Sequence, residues 1–379
     1  MRIALINGSA VPTPPPTYGS EVFTGQLASQ LAAHGHEVHL FAPGGSHTDG
    51  SVHLHYTPSS QGRIYPGLDR YVVEVYKPIL MHCDVIHDLS GSVSVVEALA
   101  GEPHTPPMCY TRNGIDFNRP RWHRENGVVL SYAARECARQ GIGAWDQVGP
   151  DWAVYRDGTH RILEDATVIP YGTNTAFYHP GEKAAIPKTA VYIGRPHPAK
   201  GVDYILEIAR IRPDWQFILA WRPLFPDHWH WHQTYVQRIN EAQTQGHLQN
   251  VMILVLPEVG HHTAKRALYQ QASVFLQPTR YIEAFGLTAI EAMACGTPVL
   301  LADRGSGPEI IGQDPHGLGV GQVLSVDPFH PEDWAEALDQ VGDLIREPVR
   351  HYAVQYYDIE VATQRYLAFY QAIGGGRAR

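Results

Sequence analysis

Two glutamates, Glu283 and Glu291, flank a Phe-Gly turn in the stretch Arg280-Tyr281-Ile282-Glu283-Ala284-Phe285-Gly286-Leu287-Thr288-Ala289-Ile290-Glu291-Ala292-Met293-Ala294-Cys295-Gly296-Thr297-Pro298-Val299. Leu287 to Cys295 are helix formers, Gly296 is placed to close the helix, and Pro298 stops it. Glu283 therefore belongs to a loop and Glu291 to a helix. The first N–H groups of that helix, from Gly286 to Thr288, lack intrahelical partners and present the positive end of the helix dipole, which suits a phosphate. Carboxylates are poor phosphate ligands but good acceptors for hydroxyls. Two carboxylates flanking an anion seat suggest a molecule with hydroxyls on both sides of a phosphate group, and a nucleotide sugar fits that description.

The elements that must position these groups alternate between strand and helix twice over. In the first half, Ile3 to Asn7, Val38 to Phe41, Val85 to His87 and Met108 to Thr111 read as short apolar strands, with a helix over Glu21 to Ala33 that ends at His34-Gly35. In the second half, strands are expected at Ala190 to Ile193, Phe217 to Ala220, Met252 to Val255, Val274 to Gln277, Val299 to Ala302 and Val323 to Val326. Helices are expected near Val202 to Arg210, Gln233 to Gln243, Thr263 to Gln271 and Pro331 to Ile345. Such alternation implies parallel doubly wound sheets, which bind ligands at the carboxyl ends of their strands. The 379 residues suggest two domains. Breaks between Tyr178 and Lys188 place the boundary, giving domains over 1–180 and 181–354. The aromatic segment 355–379 is read as packing.

The Glu283/Glu291 pattern resembles the E-x7-E signature of retaining glycosyltransferases of family 4. Gly194-Arg195-Pro196-His197-Pro198-Ala199-Lys200-Gly201-Val202-Asp203 is similar to that family's Gly-Arg, Lys-Gly segment. Val168-Ile169-Pro170-Tyr171-Gly172-Thr173-Asn174 is similar to its Ile-Pro-Asn-Gly-Val-Asp stretch. The resemblance implies an α/β fold of GT-B architecture: two Rossmann-like domains facing across a cleft, the first for the acceptor and the second for the donor, with the C-terminal helix crossing back to the first. It implies that Arg195 and Lys200 neutralise the donor diphosphate together with the Phe285-Gly286-Leu287-Thr288 backbone. Glu283 then takes hydroxyls of the donor hexose, Glu291 those of the ribose, and the Leu256-Pro257-Glu258-Val259 segment reads the base. The loop Pro12 to Glu21 resembles the family's Gly-Gly-x-Glu loop, with Gly19 close to the donor, Tyr18 toward the acceptor, and Ser20 replacing the second glycine as a candidate N-cap. Where many members carry a histidine at the end of the strand Met108 to Thr111, this chain has Arg112-Asn113. Arg112 would hold an anionic acceptor or the leaving group, with Asn113 beside it. His87, followed by Asp88 at an earlier strand end, is a further candidate to line the cleft.

Composition sets limits on these readings. A formal charge of −9 argues against nucleic acid as a partner. The run Arg112, Arg119, Arg121, His123, Arg124 reads equally as a solvated loop or as an acceptor or membrane-surface site. Cys83, Cys109, Cys137 and Cys295 are widely spaced, which indicates neither a disulfide framework nor a zinc site and suits a reducing cytoplasm. The apolar runs are shorter than the ~18 residues that span a bilayer, and Met1 to Asn7 reads as a strand rather than a leader. The expected setting is cytoplasmic, with peripheral contact at the inner membrane face left open. Asp227-His228-Trp229-His230-Trp231-His232 alternates at a spacing of two, which suits an extended segment and lacks an H-E-x-x-H metal pattern. No metal or other cofactor is expected beyond the nucleoside-diphosphate sugar as co-substrate. The sequence contains neither G-x-G-x-x-G nor a P-loop, which disfavours dinucleotide oxidoreductases and P-loop enzymes. Three functions fit: a retaining glycosyltransferase, an epimerase or phosphorylase on the same architecture, and a silent nucleotide-sugar binder.

Overall fold

The computed structural model describes residues 1–7, 12–13, 19–58, 68–91, 94–113, 126–140, 166–258, 260–312 and 319–375. The chain divides into two compact units. The first begins at Met1, extends to Gly172 in its main part, and takes in the final helix. The second runs from Thr173 to Asp358.

Unit 1 contains β1 (Arg2–Ile6), α1 (Gly19–Ala33), β2 (Glu37–Pro43), β3 (His53–Thr57), α2 (Leu68–Met81), β4 (Val85–Asp88), α3 (Ser94–Leu99), β5 (Met108–Arg112), β6 (Gly127–Val129), α4 (Tyr132–Gln140) and β7 (Thr167–Val168). The described strands form one parallel sheet in the order β3-β2-β1-β4-β5-β6-β7. The direction of winding reverses between β1 and β4, where Ile3 pairs with Val85. β1 beyond Arg2 and all of β4 are buried on both faces, as in a covered parallel sheet, although β4 ends in the polar pair His87-Asp88.

Unit 2 contains β8 (Thr189–Ile193), α5 (Val202–Ile211), β9 (Gln216–Trp221), α6 (Pro226–Thr244), β10 (Val251–Val255), α7 (His261–Gln271), β11 (Val274–Gln277), α8 (Leu287–Ala294), β12 (Val299–Ala302), α9 (Gly307–Gly312), β13 (Gly321–Leu324), α10 (Pro331–Gly342) and α11 (Arg346–Tyr357). Its parallel sheet runs β10-β9-β8-β11-β12-β13 and reverses between β8 and β11, where Val274 pairs with Ala190. The apolar face of α5, Val202, Ile205, Leu206, Ile208 and Ala209, joins Trp215, Trp221 and Trp334 in the core. Each large side chain fully buried there contributes about 1.5–3 kcal/mol before entropy is counted.

The last helix, α12 (Ile359–Gly375), belongs to unit 1. It packs on α1, and His34 Nε2 lies 2.9 Å from the Glu360 carboxylate. Several boundaries differ from the sequence expectation. The units part at Gly172/Thr173 rather than near residue 180, because the Thr173 N–H donates to the Tyr357 carbonyl and Tyr178 is buried against Tyr269. The second boundary falls at Asp358/Ile359 rather than near 354, since Tyr352 and Tyr357 both donate to the Ile310 carbonyl within unit 2. Asp227 to His232, expected extended, is the first part of α6, which Pro226 opens from its first turn. Ser20, expected as an N-cap, lies inside α1 and donates its hydroxyl to the Glu21 carboxylate.

Candidate functional site

In a doubly wound sheet the loops at the winding reversal part to opposite faces and leave a crevice at the strand ends. In unit 2 those loops follow β8 and β11, and they carry Lys200 and Glu283. Lys200 Nζ lies 2.6 Å from Glu283 Oε2 and also donates to the Tyr281 hydroxyl. It sits 4.4 Å from the centre of the Tyr281 ring. Gln277 Nε2 adds a weaker bond to Glu283 Oε2 at 3.3 Å. The lysine is presented by the turn Pro198–Lys200, which His197 caps by accepting from the Ala199 N–H. Gly201 then takes φ +78°, and a Cβ there would lie 1.9 Å from the Pro278 carbonyl oxygen. Only glycine permits this seating of one loop on the other.

The pair is electrostatically organised. Burial raises the proton affinity of Glu283, but the Lys200 charge and hydrogen bond, aided by Tyr281 and Arg195, carry its pKa below the usual carboxylate value. Burial pushes the Lys200 pKa down, Arg195 adds to this, and Glu283 opposes it. Arg195 itself is exposed, and the Tyr192 hydroxyl holds its backbone carbonyl at 2.7 Å. The site is thus ionised, with cationic charge in excess.

α8 begins after Gly286, whose φ of +88° makes the turn and whose lack of a side chain leaves the helix without a side-chain cap. Leu287 and Thr288 are partly exposed there. The loop is braced from behind: Ser306 donates its N–H to the Glu283 carbonyl and its hydroxyl to the Phe285 carbonyl. One turn further on, Glu291 turns inward. Its Oε2 meets Lys265 Nζ at 2.5 Å and the Tyr269 hydroxyl at 2.9 Å. Only 9% of the Lys265 side chain and 3% of that of Glu291 is exposed, against 14% and 15% for Lys200 and Glu283, so the second pair is the more enclosed. His261, Lys265 and Tyr269 are the buried residues of α7, spaced by four, so this helix turns a polar stripe inward. Part-buried arginines of α11 grip the other end of α8. Arg346 donates to the carbonyls of Ala272 and Cys295 and to the Thr297 hydroxyl, and Arg350 to the carbonyls of Ala294, Tyr178 and Thr175. They satisfy carbonyls that a helix end leaves without partners.

At the neighbouring strand ends, Arg222 follows β9 and Glu258 follows β10, joined at 2.8 Å. Unit 2 therefore brings Arg195, Lys200 and Glu283 together, sets Glu291 with Lys265 and Tyr269, and places Glu258 on Arg222. Sequence reading missed Lys265, Tyr269, Tyr281 and Arg222. The four-residue spacing on α7 was the signal available for the first two.

Unit 1 corrects several expectations. His87, a catalytic candidate, is fully buried, with Nδ1 2.6 Å from the Tyr370 hydroxyl and Nε2 2.7 Å from the Thr111 hydroxyl. Burial pushes its pKa down to about 3, so it is a neutral core residue joining β4 to α12. Asp88 caps α3 by accepting from the Val95 N–H at 3.2 Å. Asn113, expected at the acceptor, donates to the Leu89 carbonyl at 2.7 Å and accepts from the Tyr171 hydroxyl, so its amide ties loops together. Arg112 is buried at the end of β5. Gly19 is the first residue of α1. Tyr18 and the basic residues Arg119, Arg121, His123 and Arg124 lie outside the described residues. Among those described, no helix is long and apolar enough to cross a membrane.

Two parallel doubly wound units with this site define a GT-B glycosyltransferase fold. Residues 17–148 match the family described as Glycosyltransferase Family 4, and residues 179–353 match Glycosyl transferases group 1. The D-inositol 3-phosphate glycosyltransferase of Mycolicibacterium vanbaalenii is 31% identical, over 90% of this chain and 82% of that one. A lipopolysaccharide core biosynthesis mannosyltransferase of Rhizobium meliloti is 30% identical over 40% of this chain and 45% of its own. Among solved structures, sucrose-phosphate synthase from Thermosynechococcus elongatus superposes with a TM-score of 0.74 at 18% identity, over 99% of each chain. HepE of Anabaena, in complex with UDP-glucose, gives 0.69 at 18% identity, over 98% of this chain and 100% of that one. The chain belongs to the family 4 glycosyltransferases.

Proposed function

We propose that this glycosyltransferase moves a hexose from a nucleoside-diphosphate sugar to a hydroxyl acceptor with retention of configuration. The observation that carries the reading is the Lys200–Glu283 pair at the winding reversal of unit 2, beside the uncapped start of α8. Arg195, Lys200 and the first N–H groups of α8 bind the diphosphate. Because they stabilise the negative charge that grows as the sugar–oxygen bond breaks, they lower the barrier and not only the ground state. The negative charge of an arriving diphosphate also offsets the burial and the Arg195 repulsion that hold the Lys200 pKa down. Glu283, kept ionised by Lys200, accepts hydrogen bonds from hexose hydroxyls and Glu291 from the ribose. The departing phosphate oxygen takes the acceptor's proton, so no strong base of the protein is needed on that face. With side chains and a helix terminus meeting the diphosphate, the reaction needs no metal or other cofactor.

A hydroxylated acceptor carrying an anionic group is supported by the relatives named as D-inositol 3-phosphate glycosyltransferases. Thermal shift with a panel of nucleoside-diphosphate sugars, on wild type and Glu291→Ala, tests the donor. A selective rise in melting temperature that is lost in the variant is expected, and no rise with any donor sinks the proposal. Mass spectrometry of the preferred donor with inositol phosphates, sugar phosphates and neutral sugars then identifies the acceptor.

A further inference from the structure

A lysine is poorly aimed on its own, because its ammonium is a compact charge on a flexible four-carbon stem. Two acceptors aim Lys200: the Glu283 carboxylate at 2.6 Å and the hydroxyl of Tyr281. An ammonium has three N–H bonds, so these contacts leave the third for an incoming anion. The Tyr281 hydroxyl in turn donates to the Glu283 carboxylate, and the three side chains close a ring in which each touches the other two. A phenolic hydroxyl suits that place because it accepts and donates at once, whereas an ammonium only donates and an ionised carboxylate only accepts. Burial raises the Tyr281 pKa well above its ordinary value, so the hydroxyl keeps the proton that Glu283 receives.

Tyr281 is itself held from behind. Its side chain is buried, and the Ala199 carbonyl, in the turn that presents Lys200, accepts from the Arg280 N–H at 2.8 Å, the Thr279 hydroxyl at 3.3 Å and the Tyr281 N–H at 3.4 Å. The loop after β11 and the turn after β8 are thereby stitched into one piece, and the hydroxyl enters the ring from a rigid base. This matters once a diphosphate arrives, because the anion competes with Glu283 for the ammonium. An ammonium tied to the carboxylate alone would swing between the two, whereas one also seated on a fixed neutral oxygen stays in place and meets the anion with its third N–H. We propose that Tyr281 is a positioning residue for the donor, its hydroxyl aiming the Lys200 ammonium at the diphosphate. This assignment rests on the donor reading above and adds to it a residue that acts through Lys200 without touching the phosphates.

The test is calorimetric titration of the full chain with UDP against UMP and GDP against GMP. Wild type should bind the better diphosphate at least about tenfold more tightly than its monophosphate, the scale of one charge-assisted hydrogen bond. Tyr281→Phe removes the hydroxyl alone and should weaken the diphosphate by at least about fivefold while the monophosphate stays within about twofold. In a Lys200→Met background the same substitution should change diphosphate affinity by less than about twofold, since its target is gone. p-Aminophenylalanine at position 281 keeps the shape of tyrosine and a donor for Glu283 but accepts poorly, so it should repeat the selective loss even if Tyr281→Phe fails to fold. A loss shared equally by diphosphate and monophosphate would make Tyr281 a packing residue. That result, an unchanged diphosphate affinity in a folded variant, or a loss that persists in Lys200→Met overturns the assignment while leaving the donor site standing. If wild type binds none of the nucleotides, the donor reading falls and takes this assignment with it.

Discussion

The winding reversals of the two sheets carry similar residues and treat them in opposite ways. In unit 1, the β4 end brings His87 and Asp88 into full burial, where desolvation drives both toward their neutral forms: the imidazole pKa goes down and the carboxyl pKa goes up. Their hydrogen bonds serve Tyr370, Thr111 and the start of α3. In unit 2, Glu283 is also enclosed, but the ammonium of Lys200 reverses the sign of the shift and holds the carboxylate ionised. A polar residue at a strand end is therefore not by itself a site. What separates a site from a structural brace is whether an opposite charge keeps the group ionised.

Removing the charge on one side is the most direct way to break that contrast. Lys200→Met should lower kcat/KM by about 10³-fold, the scale seen when one preorganised partner of a developing anion is lost. A steady-state assay showing less than tenfold loss would erase the distinction. The second pair sharpens it. Lys265→Met strands Glu291 in the interior and should cost about 3–5 kcal/mol in denaturant unfolding, whereas Lys265→Met combined with Glu291→Leu should recover most of that stability but not donor affinity. If the double variant binds donor as wild type does, Glu291 has no role in the site. His87→Phe probes the opposite unit and should cost about 1–3 kcal/mol of stability by leaving the Tyr370 and Thr111 hydroxyls unpaired. Its donor dissociation constant should stay within about twofold, and a larger change would move His87 back into the site.

The remaining effect is the pH dependence contributed by His87. Its folded pKa of about 3 lies below the ordinary 6.5, so between those values the unfolded chain binds a proton that the folded chain refuses. Stability should fall as pH drops below about 6.5, by up to about 1.4 kcal/mol per pH unit, and the His87 contribution should level off near pH 3. Other buried histidines, His197 and His261, act in the same direction. The His87 part is therefore the difference in slope between wild type and His87→Phe, and equal slopes would show that the imidazole is charged in the fold.

Unit 2 was the more legible in the sequence because its signals are local. Phe285-Gly286 ahead of a run of helix formers marks a helix start, and Gly201 between Lys200 and Val202 marks a turn, so loop residues and helix residues could be told apart without a fold. The partners that make the site work are remote: Lys200 lies 83 residues from Glu283, and Tyr269 lies 22 from Glu291. Only the order of strands brings them together. The errors have physical causes of the same kind. His87 reads as a reactive group until Tyr370, 283 residues away, is seen to close over it. Asp227 to His232 alternates like a strand, yet Pro226 at the first turn and the tertiary packing of Tyr235 and Ile239 commit the segment to a helix.

The arginine grip on α8 bears on how far unit 2 can be moved between proteins. Arg346 and Arg350 belong to α11, the last helix before the chain returns to unit 1, yet they hold the end of the helix that carries Glu291. The portable module is therefore longer than the strand–helix alternation suggests. A graft that stops after α10 would carry both glutamates and lose the clasp on the helix that bears the second, whereas one extending through Asp358 would keep it.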